Sequence, residues 1–276
     1  MSVPFRWFSA RRKLKGQAWP CTHWRGFLIG SLGIVAVSFA VFDYPVGKMA
    51  KELNPAVLDY GSFVTDFGNS GWILFTSFLA FVVGIAAAGG AGEKTRRLRA
   101  RGVFMAQAAA FLFISVASSG LAVNLIKKTI GRARPSMLYE NYGPFSFQPL
   151  EFSAKFASFP SGHSTTTAVF FTAAAFFFPK HRVLFFSIAV CIAISRAIVG
   201  AHYPSDVAAG LAFGAWCTYF VAILFSRYRM VFRIDESGWP VPRNSMAALK
   251  LDFLHRSARK RGRPQSELDL SPQKGH

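Results

Sequence analysis

The chain has 276 residues, of which 52% are hydrophobic and only 16% charged, with 30 Phe and a positive mean hydropathy. So low a charged fraction excludes disordered and fibrous classes, and long apolar runs read as membrane spans. The net charge of +19 would point to nucleic acid in a soluble chain, so what matters is where the charge sits.

Six apolar stretches occur in order, over 26–42, 71–91, 102–126, 163–178, 183–199 and 207–225. A helix needs about 20 residues to cross the hydrocarbon, so the second, third and sixth qualify outright, and the first, fourth and fifth are marginal. The expected fold is an all-α polytopic bundle of six transmembrane helices. Residues 1–25 form a basic N-terminal segment, 26–225 the membrane domain, and 226–276 a basic tail read as largely disordered. The first run is too long for the apolar core of a signal peptide and is followed by no clear cleavage site, so it reads as an uncleaved span.

The basic residues test this count. With six crossings, residues 1–25, the 92–101 connection, the 179–182 turn and the tail fall on one side, which holds 24 of the 32 Lys and Arg. The positive-inside rule makes that side the cytoplasm, with both termini inside. The charge then reports topology, and nucleic acid is not an expected partner. Cys21, Cys191 and Cys217 give no disulfide framework and read as small buried hydrophobes.

The opposite side owns eight basic residues, and six crowd beside helix ends: Lys127, Lys128, Arg132, Arg134, Lys155 and Arg196. They run against the positive-inside trend and point to a strong anion, most simply phosphate. Ser161-Gly162-His163 opens the fourth apolar stretch, so a helix start with its positive dipole end lies beside an imidazole. His202 precedes Pro204, which suits a first helical turn, and Asp206 then lies within reach of the His202 ring. A carboxylate on one ring nitrogen fixes the tautomer and leaves the other as a nucleophile or base. Gly210 and Gly214 follow Asp206 at four-residue steps and predict close packing of that face.

These residues carry a family resemblance. Lys127-x6-Arg134-Pro135, Pro160-Ser161-Gly162-His163 and Ser195-Arg196-x5-His202-x3-Asp206 match the three-part signature of the type 2 phosphatidic acid phosphatase family, with no signature position missing. The resemblance implies a metal-independent lipid phosphate phosphatase without a cofactor. It implies that His202 attacks phosphorus to form a phosphohistidine, that Asp206 orients it, and that His163 protonates the leaving oxygen and then activates water. Lys127, Arg134, Arg196, Ser161 and the Gly162 N–H would hold the phosphoryl oxygens, in keeping with the fixed donors that phosphoryl transfer needs. Lys128 and Arg132 are off the signature and are left between contacting the substrate and facing solvent.

The expected substrate is a phosphorylated lipid at the periplasmic face of a bacterial inner membrane. Phosphatidic acid, phosphatidylglycerol phosphate, a polyprenyl diphosphate and the phosphates of lipid A are the candidates. Lys128, Arg132 and Lys155 tilt the reading towards lipid A or another multiply charged envelope lipid. Two alternatives stay open: a non-enzymatic phosphate-binding transporter or scaffold, and an enzyme of the vanadium haloperoxidase kind. Oligomeric state is not legible.

Overall fold

The computed structural model describes residues 24–89, 96–140 and 142–243. The first helix, α1 (Trp24–Val37), passes through a π-helical turn at Ser38–Phe42 into α2 (Asp43–Glu52). Pro45 has no N–H to give to the carbonyl one turn back, which accounts for the ladder widening just before it. Then come α3 (Pro55–Asp66), α4 (Ser70–Gly89), the 35-residue α5 (Arg96–Ile130), α6 (Gly162–Phe177), α7 (Arg182–Ile198) and α8 (Pro204–Arg227).

Five stretches among the described residues are long and apolar enough to cross a membrane: Trp24–Glu52, Pro55–Gly89, Leu98–Ile130, Pro179–Ile198 and Pro204–Arg227. The remaining apolar stretch, 163–178, lies in α6. Its 16 residues rise about 24 Å against about 30 Å of hydrocarbon. That helix is buried along most of its length and packs against α5, α7 and α8.

Two segments differ from the sequence reading. The 43–70 connection is not a plain loop: α2 extends the first helix, and α3 begins at a cap where the Asn54 side chain accepts from the Ala56 N–H at 2.9 Å ahead of Pro55. Charged and polar residues interrupt hydropathy there while most of the segment stays helical, with breaks only at 53–54 and 67–69. The tail is ordered at its start. Strands β1 (Phe232–Ile234) and β2 (Pro240–Pro242) form an antiparallel hairpin, a small exception to the all-α expectation. Phe232 is buried against Phe111 (ring centroids 4.7 Å apart), Phe176 and Phe177, and joins Val221 and Phe225 in an apolar cluster. The disorder expected for 226–276 is thus too broad; 244–276 lies outside the described residues.

Helix direction sets the site. The end of α5, the start of α6, the end of α7 and the start of α8 meet at one end of the bundle, and the Phe111–Phe232 cluster fills towards the other. Glycine allows the close approach of α8 to α6. A Cβ on Gly210 would lie 2.5 Å from the Ser161 carbonyl oxygen, and one on Gly214 would overlap the Thr165 carbonyl, so the predicted packing of that face is present. Cys191 and Cys217 are free thiols, but Cys191 is exposed and Cys217 half-buried rather than buried; Cys21 lies outside the described residues.

Candidate active site

Three local devices deliver the side chains. Helix α5 ends at Gly131, whose φ of +61° suits a residue without a Cβ. Its N–H returns to the Lys127 carbonyl at 2.9 Å, so Lys127 stands in the last turn and Arg134 just beyond it. The Arg134 N–H bonds the Lys155 carbonyl (2.9 Å). Its guanidinium touches the Ala157 carbonyl at 3.4 Å, while the buried Nε has no partner among the described residues.

Helix α6 starts at Ser161, fully buried, whose hydroxyl oxygen accepts from the Ser164 hydroxyl (2.9 Å) and more weakly from the Ser164 N–H (3.4 Å). The Ser161 N–H donates to the Asp206 carbonyl at 3.0 Å, stitching the start of α6 to the first turn of α8. A Cβ on Gly162 would stand 3.8 Å from Lys127 Nζ, so the first N–H groups of α6 and this ammonium face the same space. His163 follows in that turn, half-buried, within electrostatic range of Arg196, Lys127, Arg134 and Asp66.

Between α7 and α8 the chain turns at Gly200 (φ +66°), and the N–H groups of Ala201 and His202 both come back to the Arg196 carbonyl, at 3.1 and 3.2 Å. That turn is the physical content of the five-residue gap between Arg196 and His202. The Arg196 guanidinium bonds Thr65 Oγ1 of α3 at 3.2 Å, and its buried Nε has no partner among the described residues. Asp206 caps α8 by accepting the Tyr203 N–H on Oδ2 at 2.9 Å, and the same oxygen lies 3.8 Å from His202 Nδ1. This is ion-pair range without a hydrogen bond in place, and Nδ1 has no hydrogen-bond partner among the described residues. Burial of His202, together with the charges of Lys127 and Arg134, outweighs Asp206 and brings the imidazole down to about 4. The ring is therefore neutral at physiological pH.

All eight residues expected from the sequence thus sit at one end of the bundle, two histidines facing three cations and a helix start. Arg132 departs from expectation. It neither faces solvent nor is free for substrate: it is fully buried, paired with Asp43 and Asp206. Lys155 pairs with Glu140 at 3.2 Å on the surface, and Lys128 lies over the Phe152 ring at 5.1 Å. Thus the cations that tilted the reading towards a multiply charged headgroup are partly engaged already. The sequence reading also missed Asp43, Thr65, Ser158 and Ser205. Ser158 Oγ bonds Asp206 Oδ2 at 2.6 Å. Of these, only Asp43 left a trace, as an acid set directly after the first apolar run.

A bundle of apolar helices with a cation-lined, histidine-bearing end defines a class, the membrane phosphatase. Comparison with known proteins agrees. A PAP2 superfamily model matches residues 108–230. The chain is 43% identical over 237 residues to a lipid A 1-phosphatase of Rhizobium johnstonii, covering 85% of this chain and 95% of that protein. It is 44% identical over 222 residues to a lipid A 1-phosphatase of Rhizobium etli, covering 80% and 94%. The fold resembles the crystal structure of a transmembrane PAP2-type phosphatidylglycerolphosphate phosphatase from Bacillus subtilis, with a TM-score of 0.51 at 22% identity over 73% of this chain and 95% of that one. The chain belongs to the PAP2 superfamily and is a membrane lipid phosphatase.

Proposed function

We propose that the protein removes the 1-phosphate of lipid A at the periplasmic leaflet of a bacterial inner membrane, through a phosphohistidine on His202. The observation that carries the chemistry is a buried His202 ring with Asp206 behind Nδ1 and Lys127, Arg134 and Arg196 around the start of α6. Substrate choice rests on the two lipid A 1-phosphatases that match nearly end to end. The leaflet rests on the charge asymmetry, which puts both termini and the 226–276 tail in the cytoplasm.

The reaction runs in two steps. His202 Nε2, the nitrogen turned away from Asp206, attacks phosphorus as the bond to the lipid oxygen breaks. His163, which takes up a proton as the phosphate dianion enters and offsets the cations around it, gives that proton to the leaving oxygen, so the dephosphorylated lipid leaves as an alcohol. The imidazole of His202 gains positive charge as it attacks, and the Asp206 carboxylate stabilises it. Water then gives a proton to His163 while its oxygen attacks phosphorus, the N–P bond breaks, and phosphate leaves. Lys127, Arg134, Arg196, Ser161 Oγ and the Gly162 N–H hold the three equatorial oxygens through both steps; the Nε groups of Arg134 and Arg196, without a partner among the described residues, are the kind of donor such an anion takes up.

The test is a panel of lipid A, phosphatidic acid, phosphatidylglycerol phosphate and a polyprenyl diphosphate presented to the purified protein. Lipid A should lose its 1-phosphate with the highest kcat/KM. Hydrolysis of another lipid with lipid A left intact would overturn the substrate assignment.

A further inference from the structure

Behind the reacting groups lies a buried charge network that the catalytic steps above do not use. Arg132 is fully enclosed, its guanidinium carbon 4.9, 6.0 and 4.6 Å from the ring centroids of Phe39, Phe147 and Tyr203. Its Nε donates to the Pro144 carbonyl (2.9 Å), one terminal nitrogen to Ser205 Oγ (2.7 Å) and Asp206 Oδ1 (2.5 Å), and the other to Asp43 Oδ2 (2.6 Å). Asp43, equally buried, accepts the Ser205 N–H on Oδ1 at 2.9 Å and the Ser205 hydroxyl on Oδ2 at 2.6 Å. The π-helical turn and α2 bring this acid from the first membrane helix to the first turn of α8.

A buried ion pair is weak evidence for stability, because desolvating the charges offsets most of their attraction. What this one does is fix a geometry. With Oδ1 of Asp206 held by Arg132, Oδ2 is the oxygen left for the Ser158 hydroxyl, the Tyr203 N–H and the His202 ring. Two acids share one arginine, so the cluster keeps one net negative charge behind an imidazole that turns positive when it attacks phosphorus.

We propose that Arg132 and Asp43 are positioning residues for the His202–Asp206 pair. Asp43 locks the Arg132 fork, and the fork sets which oxygen of Asp206 faces His202. This rests on the functional reading above, in which His202 is the nucleophile.

The experiment compares wild type, Arg132→Lys, which keeps charge but loses the fork, and Asp43→Asn, which keeps shape but loses charge. Each is assayed for thermal unfolding in detergent, for kcat and KM on lipid A, and for competitive inhibition by inorganic phosphate. Misplacing a reacting group by about 1 Å costs about 10²-fold. Both variants should therefore lose about 10- to 100-fold in kcat, while KM and inhibition by phosphate stay within about twofold because Lys127, Arg134 and Arg196 are untouched. A folded variant with wild-type kcat would overturn the proposal, as would kcat and phosphate inhibition weakening together. Should a single variant fail to fold, the double variant Asp43→Asn with Arg132→Gln leaves no cation lacking its acid. It should fold with low kcat and unchanged KM, and wild-type kcat in it would equally overturn the proposal. Wild type inactive on every lipid would instead sink the functional reading, which keeps the two failures distinct.

Discussion

Burial takes water away from the His202 ring and, with lesser help from the charges of Lys127 and Arg134, outweighs the Asp206 carboxylate that favours a second proton. The consequence for stability has a sign. A folded-state value of about 4 lies below the ordinary 6.5, so between these pH values the unfolded chain takes up a proton that the native protein does not. The contribution is complete above about pH 6.5 and is lost as pH falls towards 4. From pH 6.5 to 5 this amounts to about 2 kcal/mol. Thermal unfolding at pH 7 and pH 5 should show a larger drop for wild type than for His202→Gln, which cannot titrate. Equal drops would mean that the ring is not kept neutral.

At the scale of elements, α6 and α8 act as one unit. Gly210 faces the Ser161 carbonyl, and Ser161 caps the helix that carries His163. A side chain at Gly210 must push the start of α6 away from Asp206. Overpacking of this kind costs about 1–3 kcal/mol. Gly210→Leu should lower the unfolding temperature and also cut kcat by at least about tenfold, since the displaced turn carries His163, the proposed acid–base group. Normal kcat in a folded Gly210→Leu would show that helix contact and site geometry are independent. The glycine stripe was legible because four-residue spacing is a property of sequence alone, and the same holds for His-x3-Asp, in which the acid also caps the helix. Asp43 and Arg132 were not legible: 89 residues separate them, and only the folded chain shows that Asp43 neutralises a cation that sequence alone left between substrate contact and solvent. The ordered hairpin escaped for a similar reason. Phe232 sits in a basic stretch, and its burial depends on Phe111 and Phe176 from other helices.

Across the whole molecule, all four helix ends that carry site residues meet at one end, so the reaction belongs to one side of the membrane. On the orientation proposed above from the charge asymmetry, that side is the periplasm. A reporter active only outside the cytoplasm should be active when fused near Tyr142 and silent near Arg97; the reverse pattern would refute the orientation. Five of the six expected spans are long and apolar enough to cross a membrane among the described residues, and the short α6 is the one that falls short. This helix gives up its outer turn to the site and is sheltered by α5, α7 and α8.

The proposed mechanism requires a covalent bond between His202 and phosphorus. Rapid quench of the purified protein with a nitrophenyl phosphate substrate, followed by assay of acid-labile phosphoprotein, tests it directly. The good leaving group removes the need for an acid in the first step, so His163→Ala should still form phosphoprotein and, lacking the group that activates water, accumulate it. His202→Ala should form none. Phosphoprotein persisting in His202→Ala would contradict the account by placing the nucleophile on another residue.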